Sequence, residues 1–365
     1  MSTVTTQAGG ASPVDFATYG DYGDYLAKKR AAAPAPRSGE FVRAPYPFQG
    51  RITADGSSGY PAEAGRYHLY ISWACPWAHR SAIVRKLLGL EEVISLSAVD
   101  PVRDGRGWAF RAGDGYSPDP VNGFALLREA YEATEPGYDG HISVPVLWDR
   151  QTRRIVSNNF PDITIDLDTQ FGHWADQAYD LYPEDLRPEI DAINETVYAG
   201  VNNGVYRCGF ATTQQAYDEA YEKLFARLDW LEERLATRRY LVGDTITEAD
   251  VRLWPTLARF DPVYQGHFKC NRNKLTEMPV LWAYARDLFQ TPGFGDTIDF
   301  VQTKQHYYLV HTNLNPSGIV PDGPDLSGWL TPHGRDALPG RPFGDGTPPG
   351  PPPAAERVPA ARTAH

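Results

Sequence analysis

Residues 67–89 read YHLYISWACPWAHRSAIVRKLLG, and their reading decides the fold. Tyr67 to Ser72 alternates as a strand does; after a short turn, Pro76 suits the first position of a helix and Gly89 its end. The segment is strand, turn, helix, with Cys75 at the handover. Downstream, VISLSAV (93–99) reads as a second strand and a long irregular stretch follows it. VPVLWD (144–149) and RRIVSN (153–158) then read as strands on either side of a polar turn, and a short helix begins near Pro161. This order of βαβ, hairpin and helix predicts a thioredoxin-like α/β domain over residues 65–170, whose first strand-to-helix turn presents a reactive group at a helix N-terminus.

Beyond that domain the pattern becomes helical. EDLRPEIDAINETVYAGVNN, QQAYDEAYEKLFARLDWLEERLA, EADVRLWPTLARFDPVY, VLWAYARDLFQ and TIDFVQTKQHYYLVH carry apolar residues at helical spacing, which predicts an all-α domain over 175–321. Thr247 and Asp250 form a capping-box pattern at the start of the third of these. Residues 1–64 mix Ala, Pro, Gly and Ser with aromatic anchors such as Phe41, Tyr46 and Phe48, and read as a partly ordered arm. From 322 to 365 the chain turns to Pro and Gly and reads as a disordered tail. A cleft between an α/β and a helical domain is a common place for a small molecule.

The 365 residues suffice for two cores, and 42% hydrophobic with 22% charged residues is ordinary globular usage. A formal charge of -11 opposes a phosphate-tracking surface, so nucleic acid is not the expected partner. No run of 18 apolar residues occurs and the N-terminus lacks a signal-peptide pattern, which predicts a cytoplasmic protein without a membrane partner. Of the 35 basic residues 28 are Arg, a usage that suggests a GC-rich bacterial genome.

Three widely spaced cysteines, Cys75, Cys208 and Cys270, do not make a secreted disulfide framework. Cys75 stands where backbone amides and the helix dipole favour a thiolate. A dithiol motif would need a second cysteine at 78, which is Ala, so any disulfide formed by Cys75 is with a small thiol or another chain. Cys208 and Cys270 read as packing residues. His79, one turn after Cys75, either contacts the thiolate or packs, and packing is the commoner fate. His267 and Cys270 have ligand-like spacing, but no second pair with ligand spacing lies nearby in sequence, so no metal is expected.

CPWAHR at Cys75, GWAF at Gly107, VPVLWD at Val144, IVSN at Ile155, VNNGVYRCGFA at Val201, TEADVRLW at Thr247, RFDPVYQGHFKCN at Arg259 and NPSGIVP at Asn315 together resemble the glutathionyl-hydroquinone reductases, the xi class of glutathione transferases. The resemblance runs from about residue 40 to 324. It implies a thioredoxin-like domain, a helical glutathione-transferase C-terminal domain, a homodimer, and a cytosolic enzyme that reductively cleaves S-conjugates of hydroquinones without a bound cofactor. It also implies roles: Cys75 as nucleophile, Val144 as backbone partner of the bound thiol, Pro145 as the cis proline, Trp108 in the thiol pocket, and Tyr206 and Tyr307 facing the aromatic substrate.

One departure bears on the thiol. After IVSN the family has Glu-Ser, which hold the glutamyl end of glutathione; here Asn159 and Phe160 follow, then Pro161 and Asp162. The lost carboxylate and hydroxyl should weaken glutathione, since one hydrogen bond to a charge is worth about 1.5–3 kcal/mol. A GC-rich actinobacterium would contain mycothiol, a sugar-bearing thiol with no glutamyl group. The expected cosubstrate is therefore glutathione or mycothiol. Two other readings are a thiol S-transferase or conjugate-cleaving enzyme on a dedicated aromatic metabolite, and a non-catalytic binding protein that kept the fold.

Overall fold

The structure is a computed structural model describing residues 10–23, 38–175 and 180–359. Parts of the arm, at 1–9 and 24–37, and the last tail residues, 360–365, lie outside the described residues. A short helix α1 (Phe16–Tyr19) precedes strand β1 (Tyr67–Ile71), helix α2 (Pro76–Leu87) and strand β2 (Ser95–Ala98). Helix α3 (Arg128–Thr134) interrupts the irregular stretch before β3 (Val146–Asp149), β4 (Arg154–Ser157) and α4 (Phe160–Gln170). The four strands lie in the order β2-β1-β3-β4; β1 is parallel to β2 and antiparallel to β3.

All five residues of β1 are buried, because helices cover the sheet and a surface alternation has no solvent face to serve. His68, the polar residue of that strand, is accommodated by Ser95 Oγ at 2.6 Å from Nδ1 and Ser97 Oγ at 2.7 Å from Nε2. The Val144–Pro145 peptide bond is cis. Proline has no N–H for the ladder, and β3 begins one residue later.

The helical domain comprises α5 (Arg187–Val197), α6 (Gly204–Gly209), α7 (Gln214–Leu235), α8 (Glu248–Ala258), α9 (Pro279–Gln290) and α10 (Phe300–Val310). Single π-turns at Tyr198–Asn202 and Phe260–Tyr264 follow α5 and α8. The capping box at Thr247 and Asp250 forms as the sequence predicts. Helix α2 packs against α4 of its own domain and α8 of the other, so the floor of the interdomain cleft is continuous.

The tail corrects the expectation of disorder. Trp329 is 3% exposed, and Phe343 and Val358 are also buried. Arg335 donates to the carbonyl of Leu235, the last residue of α7, and to those of Arg238 and Arg239 just beyond it. A few well-placed anchors dock a segment whose average composition is unfavourable, because burial is decided residue by residue.

Candidate active site

Cys75 occupies the N-cap of α2, with Pro76 supplying the pre-set first helical residue. Its Sγ lies 3.6 Å from the Val144 carbonyl, to which the thiol donates. The cis bond after Val144 thus puts the loop before β3 beside the α2 turn. The thiol is half-buried. Burial pushes it above its ordinary range, while the Ala78 and Trp77 amides, Arg259 and Arg43 pull the other way. The helix N-terminus expected from the sequence is present, and desolvation of the charged form opposes it.

Arg259 fixes the turn from below. From the end of α8 it donates to Ala74 O at 3.0 Å and Trp73 O at 2.7 Å, the two carbonyls just before Cys75. His79 is turned away from Cys75, with Nε2 2.9 Å from Thr297 Oγ1 and Nδ1 3.1 Å from Arg259 Nη1, so the packed alternative is the one found.

Tyr206 on α6 and Tyr307 on α10 come together, with hydroxyls 2.6 Å apart. A third phenol that sequence reasoning missed, Tyr264, lies 3.0 Å from Tyr307. It stands at the end of the π-turn after α8, within a stretch already quoted for its family likeness, but nothing in its local spacing marks it. Burial pushes all three phenols up, so each remains a neutral hydrogen-bond donor. Trp77 joins them to the α2 turn, its ring 5.8 Å from that of Tyr206. Tyr308 is engaged elsewhere, donating to Pro262 O.

Trp108 is buried, stacked on His306 at 5.1 Å with the Arg103 guanidinium 4.1 Å from its ring. Asn159 caps α4 without a capping bond and donates instead to Asp162 Oδ2 at 2.7 Å. Asp162 also faces Arg51 at 3.6 Å, so the acid one turn into α4 is already engaged. Phe160 is buried against Trp77 at 4.7 Å and Tyr46 at 5.4 Å. Beside these residues opens a cavity of about 400 Å³ lined by Arg43, Tyr46, Asn159, Asp191, Asn194 and Arg252, among others. Cys208 and Cys270 are buried and free. Among the described residues no cluster of three or more His, Cys, Asp or Glu could hold a metal ion, and no helix is long and apolar enough to cross a membrane.

Comparison with known proteins agrees with this arrangement. Residues 214–287 match the glutathione S-transferase C-terminal domain family. The chain is 48% identical over 286 residues to the glutathionyl-hydroquinone reductase PcpF of Sphingobium chlorophenolicum, covering 78% of this chain and 90% of that protein. It is 45% identical over 307 residues to the reductase YqjG of Escherichia coli, covering 82% and 93%. Among solved structures, a glutathione transferase from Gordonia bronchialis aligns with a TM-score of 0.81 at 61% identity, covering 86% of this chain and 97% of that one. The glutathione-bound YqjG aligns at 0.77 and 45% identity, covering 80% and 96%. With these identities sustained over most of both chains, the protein belongs to the glutathionyl-hydroquinone reductases, the Xi class of glutathione transferases.

Proposed function

We propose that the protein reductively cleaves S-conjugates of hydroquinones with a small thiol, through a mixed disulfide on Cys75. The observation that carries this reading is the one cysteine that is not fully buried, at a helix N-terminus beside three neutral phenols. Cys75 Sγ attacks the conjugate's sulfur; the bond from sulfur to the ring breaks and its electron pair stays with the ring. A proton takes the place of sulfur on the ring carbon, matching the proton lost by the thiol. A second small thiol then attacks the mixed disulfide, releasing a disulfide of two small thiols and restoring Cys75. Tyr206 and Tyr307 donate to the hydroquinone oxygens as the ring accepts charge, with Tyr264 orienting the Tyr307 hydroxyl.

The thiol is glutathione, which the reductase relatives support, or mycothiol, which the altered pocket favours. Asn159 and Phe160 offer neither the carboxylate nor the hydroxyl that would receive a glutamyl group, and Asp162 is held by Asn159 and Arg51. The adjoining cavity combines Asp191, Asn194 and Arg252 with the rings of Tyr46 and Tyr198, a polar and aromatic lining suited to a sugar's hydroxyls and faces. Trp108 and Val144 complete the side nearest the sulfur. The enzyme is read as a cytoplasmic homodimer, following its resemblance to the Xi class.

The test compares conjugate reduction with mycothiol and glutathione at equal concentration, in wild type, Cys75→Ser and the double variant Asn159→Glu, Phe160→Ser. Cys75→Ser should be inactive with both thiols, mycothiol should be faster in wild type, and the double variant should gain with glutathione. Activity surviving in Cys75→Ser ends the mechanism. Faster wild-type turnover with glutathione ends the mycothiol assignment alone.

A further inference from the structure

Arg259, Arg43 and Arg103 lie near Cys75, as does Arg80, and none forms an ion pair with a carboxylate among the described residues. Arg259, fully buried, spends its donors on the neutral carbonyls of Trp73, Ala74 and Pro255 and on His79. Arg43, from the N-terminal arm, lies 4.5 Å from the Trp77 ring and 4.8 Å from the Tyr206 ring, with Nε donating to Asn203 Oδ1 at 3.0 Å. Arg103 lies 3.9 Å from the ring of Tyr22, another arm residue, and 4.1 Å from that of Trp108. Arg43 Nη2 and Arg103 Nε are both buried with no hydrogen-bond partner.

Asp191 and Glu195 line the cavity beside Arg43, and no ion pair joins either to it among the described residues; the other acids nearby are committed elsewhere. Asp100 pairs with Arg111 at 2.9 Å, Asp104 with Arg106 at 2.6 Å, and Glu40 faces Arg207 at 3.9 Å. Burial first and then Arg103 push His306 down to about 3, and burial first and then Arg259 push His79 down. Buried guanidinium groups without a counter-charge are costly, and the cost falls when an anion enters.

We propose that the aromatic half of the substrate is acidic, a hydroquinone bearing a ring carboxylate, and that Arg43 and Arg103 select it. The inference rests on the reductase reading for the hydroquinone itself and goes beyond it in assigning the charge. The arm is then part of the specificity site, because it supplies Arg43 directly and holds Arg103 through Tyr22.

The test is calorimetric titration of the full-length protein at pH 7 and low ionic strength, without thiol or turnover, using gentisate as the carboxylated hydroquinone and plain hydroquinone as its neutral counterpart. Wild type should bind gentisate at least about tenfold more tightly, the value of one hydrogen bond to a charge. Arg43→Gln and Arg103→Gln should each reduce the preference to about threefold or less, and Arg43→Lys should restore part of it. Equal affinities in wild type, no measurable gentisate binding, or a preference that persists in both Gln variants overturns the proposal. If the Gln variants fail to fold, the wild-type comparison decides. Because binding is read without chemistry, failure of the reductase reading registers separately, as the absence of conjugate cleavage.

Discussion

At the residue scale, Cys75 shows two physical effects with opposite signs. The α2 amides and the charges of Arg259 and Arg43 favour the thiolate; burial disfavours it more, and the net displacement is upward. A raised value means that less thiolate is present at neutral pH, so alkylation should develop late as pH rises. We expect the rate of Cys75 modification by iodoacetamide to have its midpoint above the ordinary thiol value of about 8.5. In Arg43→Gln the midpoint should move higher still, because one stabilising charge is gone. Mass mapping of the alkylated residue across a pH series checks both; a wild-type midpoint below that value would show the helix N-terminus prevailing over desolvation. The position of Cys75 was legible, since a strand followed by Cys-Pro and a helical period fixes where the turn lies. Its electrostatic setting was not, because it depends on Arg259 and Arg43, side chains brought in from other segments.

At the scale of elements, periodicity and capping chemistry carried the reading. The long helices follow their apolar spacing, the strands form where the sequence placed them although β1 is buried on both faces, and the Thr247–Asp250 box starts α8 where the sequence placed it. That box does more than cap. Asp250 Oδ1 accepts from the Leu241 amide at 2.9 Å and the Tyr284 hydroxyl at 2.6 Å, while Oδ2 accepts from the Thr247 amide at 2.9 Å. Asp250→Ala leaves those three donors unpaired in a dry interior. We expect a loss of about 3 kcal/mol or more, since each orphaned buried donor costs about 1–3 kcal/mol. Urea unfolding of the variant checks this, and a change below about 1 kcal/mol, one ordinary cap, would mean that water reaches the site. The phenol cluster marks the limit of such reading. Tyr206, Tyr264 and Tyr307 belong to three separate segments, and spacing within a helix predicts neighbours only within a turn or two. Family likeness supplied two of them; the π-turn that ends at Tyr264 left no trace in the apolar period.

At the scale of the whole molecule, the tail shows how composition misleads. GPDLSGWLTPHGRDALPGRPFGDGTPPGPPP averages to a low-complexity segment, yet it runs along the helical domain on separate anchors. Trp329 meets Trp282 edge-on at 4.7 Å and Phe289 at 5.2 Å. Arg335 brings a positive charge to the last carbonyl of α7, where a helix dipole favours it. Further on, the Ile246 amide donates to Pro342 O at 3.1 Å and the Arg341 amide to Asp244 O at 2.8 Å, tying the tail to the loop before α8. Ordering such a segment costs conformational entropy that Pro reduces in the unfolded chain, so the few buried side chains suffice. Deleting residues 323–365 should therefore lower the melting temperature by several degrees, and Trp329→Ala alone should cost about 3–5 kcal/mol, the range for emptying a large aromatic site. Scanning calorimetry of both variants is the measurement. An unchanged melting temperature in the truncated protein would show that the tail does not dock; a loss in the truncation that Trp329→Ala does not share would move the anchor to Arg335 and Phe343.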